Sequence, residues 1–150
     1  MLTVGEVYEY VNHRAPFDTQ AEFDNCGLLT GTMDREVRHI LVALDCTSAV
    51  LDEAERLGAD LLMTHHPLMF SARKQMTEMD HEGRLLCRMI RRNVSMIAAH
   101  TNLDKAPGGI NDVLAGLCGL SEYTGEGYLR VGDLAEATTA QALANTLAHR

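Results

Sequence analysis

The sequence predicts an α/β fold: a three-layer unit in which a mainly parallel sheet is flanked by helices. Three observations carry this expectation. Strand-like and helix-like segments alternate between residues 37 and 99. The strand-like runs lack polar alternation, as in a parallel sheet buried on both faces. Each run is followed by polar residues, placed where the carboxyl ends of such strands meet solvent.

The elements follow in order. Residues 3–12 form a helix, because Thr3 and Glu6 have capping-box spacing and Val4, Val7, Tyr8 and Val11 share a face; Pro16 closes it. The segment AEFDNCGLLTG, residues 21–31, is too punctuated by glycine for a helix and reads as a turn before a short strand. Residues 37–44, VRHILVAL, are a β-branched strand ending at Asp45. Thr47 caps a helix over 48–57 that carries Leu51, Ala54 and Leu57 inward and stops at Gly58. A second strand over 60–64 leads into His65-His66-Pro67, and residues 68–80, with three methionines, form a loop. A helix over 82–92 turns Leu85, Leu86, Met89 and Ile90 to the core. A third strand over 94–99 ends at His100. After Pro107-Gly108-Gly109 come a helix over 110–118, a strand at 128–131 and a last helix from Thr139 to Arg150.

The 150 residues hold 13 Lys and Arg against 21 Asp and Glu, a net charge of −8. Such acidity argues against attraction to nucleic acid or to an anionic membrane surface. No apolar run approaches the roughly 20 residues of a membrane span. The first residues lack a basic stretch followed by an apolar block, so the cytoplasm is the expected compartment. The four cysteines form no C-x-x-C pair and are expected as small buried hydrophobes. Arg84, Arg88, Arg91 and Arg92 make one stripe along a helix, read as a solvated face in preference to a phosphate or RNA contact. Gly108-Gly109 could expose amides to an anion, but no Lys-Ser/Thr follows, so this is no nucleotide P-loop.

The chemistry gathers at the strand ends, where Asp45, His65-His66, and His100 with Asp104 fall at equivalent positions. Imidazole and carboxylate suit Zn, Fe, Mn or Ni. Adjacent histidines point to opposite faces inside a strand, but at its terminus the alternation breaks and Pro67 holds His66 extended. The pair could then address one metal each, or bracket two; the alternative is a set of hydrogen-bonded core or loop histidines. Asp45 is read as support for the helix that Thr47 caps. His13, His39, His81 and His149 are read as structural or solvated.

Three segments, AEFDNCGLLTG, THHPLMF (64–70) and AAHTNLDKAPGGIND (98–112), resemble the signatures of the GTP cyclohydrolase I type 2 family, also called NIF-three-like or dinuclear metal-centre proteins. The resemblance runs from about residue 3 to about 135, with Phe23 where the family usually has tryptophan. It implies that His65 and His66 each ligate one of two divalent metals and that Asp104 bridges or ligates them. His100 is then a nearby ligand, orienting group or catalytic proton relay. No other cofactor is implied. The resemblance also implies a homo-oligomer, commonly a hexamer, and a metal-dependent hydrolase acting on GTP or a related nucleotide. The alternative is a non-catalytic metal-binding scaffold or regulatory protein. The family completes its metal site with a histidine and a glutamate from a later stretch. Residues 1–150 are therefore expected to be the N-terminal lobe, with a C-terminal lobe of about 100 residues beyond it.

Overall fold

The computed structural model describes residues 1–149. The capping box at Thr3 forms, with Thr3 Oγ1 accepting the Glu6 amide at 3.2 Å and Glu6 Oε2 accepting the Thr3 amide at 2.8 Å. It opens helix α1 (Val4–Arg14), which buries Val4, Val7 and Val11. A 3-10 turn at Phe17–Thr19, which the sequence reading lacks, follows Pro16 and stacks Phe17 on Tyr8 with ring centroids 4.6 Å apart.

Four strands make the main sheet: β1 (Gly27–Thr30), β2 (Ile40–Ala43), β3 (Leu61–Thr64) and β4 (Ser95–Ala98), in the spatial order β1-β4-β3-β2. Strands β2, β3 and β4 are parallel, and β1 adds antiparallel to β4. The connections are α2 (Ser48–Leu57), capped by Thr47, and α3 (His81–Arg92), capped by Asp80. Each ends on a left-handed residue, Gly58 at φ 64° and Asn93 at φ 58°. Leu51 of α2, Leu62 of β3, Leu85, Leu86 and Met89 of α3, and Met96 of β4 form one buried cluster with Cys46 and Val94. Burying each such large side chain stabilises the fold by about 1.5–3 kcal/mol. Leu61 and Ile97, on the opposite face of β3 and β4, are buried too, so the sheet is covered on both faces at its centre.

That double burial does not extend to β2. Ile40 and Val42 are exposed, Val42 by 73%, because β2 is the outermost strand and only Leu41 and Ala43 face the cluster. The cysteines also depart from expectation: Cys46 is buried, whereas Cys26, Cys87 and Cys118 are half-buried, and all four are free thiols. Three arginines of the α3 stripe are committed to ion pairs, Arg88 to Asp52 and Glu55 of α2 at 2.7 Å each, Arg92 to Glu55 at 3.3 Å, and Arg91 to Glu78, while Arg84 donates to the Glu78 carbonyl at 3.3 Å.

The chain divides into one unit from Met1 to Asn102 and a second from Leu103 on, the division falling within the short helix α4 (Thr101–Lys105). After His100 the chain turns at once into this helix, which the sequence reading lacks. The second unit contains α5 (Ile110–Leu117), the antiparallel pair β5 (Leu120–Thr124) and β6 (Val131–Leu134), and α6 (Ala140–Ala148). The strand expected at 128–131 begins only at Val131, because Gly125 and Gly127 take positive φ and keep the connection out of extended geometry. Arg150, the expected end of the last helix, lies outside the described residues. Among the described residues, no helix is long and apolar enough to cross a membrane.

Candidate metal centre

The register of the parallel strands builds the site. Ala43 pairs with Thr64, and Thr64 with Ala98, so these three residues stand level at the carboxyl edge. Two residues further on, the same level brings together Asp45, His66 and His100, with His65 between strand and turn. The turn is held by the chain itself: the His66 amide donates to the Leu44 carbonyl at 3.0 Å, and Thr64 Oγ1 donates to the His66 carbonyl at 2.7 Å. Two consecutive histidines can then face one centre.

Ring centroids lie 5.0 Å apart for His65 and His66, 4.9 Å for His65 and His100, and 5.4 Å for His66 and His100. One nitrogen from each ring lies within 4.8 Å of the others, and all three residues are partly exposed. Among the described residues this is the one such cluster of metal-ligating side chains. Each Nδ1 already has an acceptor: the Ala99 carbonyl at 3.0 Å from His65, Asp45 Oδ1 at 2.7 Å from His66, and Asp24 Oδ1 at 3.0 Å from His100. A carbonyl or an ionised carboxylate only accepts, so each Nδ1 carries a hydrogen, and in the neutral ring Nε2 is the nitrogen with the lone pair. Three imidazoles aligned in this way fit the nitrogen set of a divalent transition metal.

Of the expected site residues, the first unit brings together His65, His66 and His100. Asp104 stands on α4, four residues after His100, in the second unit. Asp45 has a partner the sequence reading did not give it: Thr47 caps α2 through the Val50 amide, and the Asp45 carboxylate bonds His66. Gly108-Gly109 is a turn and no anion cradle: the Gly108 amide is taken by Asp112 Oδ2 at 2.5 Å.

The sequence reading missed Asp24. Its side chain is 0% exposed, and its oxygens accept from the amides of Asn25 and Thr101, from Thr101 Oγ1, from Cys26 Sγ and from His100. Burial alone would raise its carboxyl pKa; the hydrogen bonds from Thr101, His100, Cys26 and the Asn25 amide overturn that and hold it far below the ordinary value of 3.8. Burial and the facing Asp24 carboxylate push the Cys26 thiol up to about 11, so it stays protonated and inert at neutral pH. Beside the cluster, the loop after Pro67 lines an open cleft of about 740 Å³ with Phe70, Arg73 and Lys74 among its walls. Phe70 belongs to both features, its ring standing 5.7 Å edge-on from His100.

A mainly parallel sheet with three oriented imidazoles on its carboxyl edge defines an α/β protein with a candidate transition-metal centre. The profile of the Duf34/NIF3 (NGG1p interacting factor 3) family matches residues 2–150, and the chain belongs to that family. A Clostridium perfringens protein named GTP cyclohydrolase 1 type 2 homolog is 35% identical over 121 residues, 81% of this chain and 46% of that one. A Staphylococcus epidermidis protein of the same name is 38% identical over 123 residues, covering 82% and 33%. The crystal structure of Staphylococcus aureus protein SA1388 superposes with a TM-score of 0.76 at 36% identity, over 82% of this chain and 35% of that one. The chain thus spans between a third and a half of the length of these relatives.

Proposed function

We propose that the chain carries the metal-binding lobe of a divalent-metal-dependent hydrolase, with GTP or a related nucleotide as the substrate class. The observation that carries this reading is the convergence of three Nδ1-anchored imidazoles at the carboxyl edge of the sheet, in a chain of the Duf34/NIF3 family. His65 and His66 hold two ions, Asp104 joins as their carboxylate ligand, and His100 is a third imidazole donor. Zn, Fe, Mn and Ni all suit this donor set. A divalent ion supplies Lewis acidity and lets water act as a nucleophile near neutral pH.

The chain's own residues supply the rest. The cleft of about 740 Å³ is of the size that takes a small-molecule substrate. Phe70 offers its face to a planar base, and Lys74 and Arg73 offer positive charge to phosphates, although Arg73 is already paired with Asp80 and Glu82. The names of the relatives support GTP as the first substrate to try. The resemblance that suggests this chemistry also suggests a homo-oligomer, commonly a hexamer.

Elemental analysis of protein purified without chelators tests the reading. His65→Ala and His66→Ala should each lower the metal stoichiometry, and unchanged stoichiometry in both would remove these residues as ligands. His100→Ala should lower it as well; full metal content with lost turnover would return His100 to the role of proton relay. A fully metallated protein inert toward GTP and other nucleotides would favour the scaffold reading.

A further inference from the structure

We propose that Asp24 is the positioning residue of this centre, fixing His100 so that Nε2 and never Nδ1 is the nitrogen it presents to a divalent cation. The inference rests on the metal-centre reading above and concerns how that centre is held.

The route by which Asp24 reaches the site is topological. Strand β1 runs antiparallel to β4, with Gly27 paired to Ala98. Residues just before β1 therefore lie at the same sheet edge as residues just after β4. Continuing that register sets Asn25 beside His100 and Asp24 beside Thr101, which is where the Asp24 carboxylate is bonded.

Five donors saturate that carboxylate. Oδ1 accepts the Asn25 amide at 2.8 Å and His100 Nδ1 at 3.0 Å. Oδ2 accepts the Thr101 amide at 3.0 Å, Cys26 Sγ at 3.1 Å and the Thr101 hydroxyl. A carboxylate has about four lone-pair positions, so Asp24 has no capacity left to ligate an ion itself. Its side chain is pinned by the residues just before β1 and by those that open α4, and it is 0% exposed. What it can do is accept a hydrogen from His100 and hold the ring plane.

Comparison with the other two anchors separates this role from simple fold support. His65 is held by a backbone carbonyl, which no substitution removes. His66 is held by Asp45, whose side chain is 51% exposed on a ring itself 42% exposed, so water competes for that contact. The His100–Asp24 pair, at 17% and 0%, is the shielded one. Loss of Asp24 should therefore disturb metal binding more than loss of Asp45 does.

The test has two readouts in the whole chain. Long-range proton–nitrogen NMR of the histidine rings in metal-free protein reads the tautomer directly, and His100 is expected with its hydrogen on Nδ1. Competition of Zn(II) or Co(II) against a chromophoric chelator reads affinity. Asp24→Ala should weaken it by about 10–100-fold, and Asp45→Asn by less, with circular dichroism confirming a folded variant. A His100 hydrogen on Nε2 in the unsubstituted protein would overturn the proposal, and this measurement decides it even if Asp24→Ala does not fold. A folded Asp24→Ala with unaltered affinity would overturn it and leave the metal centre standing. Failure of the unsubstituted chain to bind either ion would sink both readings together.

Discussion

Removing the Asp24 carboxylate strands the amides of Asn25 and Thr101 inside the fold, and a buried donor without a partner costs about 1–3 kcal/mol. Asp24→Ala is therefore expected to lower the unfolding free energy of the metal-free chain by about 3 kcal/mol, measured by denaturant titration. The pH dependence has a definite sign. The folded carboxyl sits below its ordinary 3.8, so its contribution is complete above that value and drains away only as pH falls further. The stability gap between the native chain and Asp24→Ala should narrow as pH falls below about 4; a gap that closes near neutral pH would refute the assignment. Ser95 presents the opposite case. Its hydroxyl is buried without a partner among the described residues, pressed against Gly31, where an added Cβ would lie 2.1 Å from Ser95 Oγ. Ser95→Ala removes an unmet polar atom and keeps the shape, so it should be neutral or stabilising by up to about 1 kcal/mol. A loss larger than that would reveal a partner for the hydroxyl.

At the scale of elements, the PGG turn shows how a motif can be legible while its meaning is not. Gly109 begins α5, and an added Cβ would lie 1.9 Å from the Leu103 carbonyl. Gly109→Ala must push that carbonyl away, so the loss of stability should exceed the 1–3 kcal/mol or so of ordinary overpacking; hydrogen exchange of the α5 amides would localise it, and unchanged protection would contradict the steric account. The run from β2 to β4 is readable in advance because Thr47 and Gly58 declare the ends of α2 and the spacing of Leu85, Leu86 and Met89 declares α3, whose caps Asp80 and Asn93 emerge only in the structure. The ladder register sets the strand ends level, and with it the meeting of His65, His66 and His100. Asp24 is not readable in this way. Its place depends on β1 adding antiparallel to β4 across some 70 positions of sequence, and no local pattern in AEFDNCG encodes a pairing that distant. Asp45 is ambiguous for a different reason, since a carboxylate two residues before a helix cap serves dipole and imidazole equally well until the register is known. The strand misplaced at 128–131 fails on backbone conformation, where two glycines outweigh the β-propensity of Tyr128 and Leu129.

Across the whole molecule, the site belongs to a unit whose stability is already supplied by a buried cluster of eight side chains, so the metal need not hold the fold together. Binding would still add to it by mass action: an ion at 100 times its dissociation constant contributes about 2.7 kcal/mol. The added protection should be uneven. The ligands of the first unit sit on the turns after β3 and β4, and hydrogen exchange in the presence of Zn(II) or Co(II) should slow there and along residues 24–26, just before β1. Amides of α5, β5 and β6 have no residue in the proposed centre and should exchange at their metal-free rates. Helix α4 is the deciding element, because the division between units falls inside it and Asp104 lies on its far side. If Asp104 is a ligand, protection must spread through Leu103–Lys105 in the native chain and disappear there in Asp104→Asn, while persisting at His65, His66 and His100. Protection that stops at Asn102 in both proteins would leave this chain with a centre of imidazoles alone.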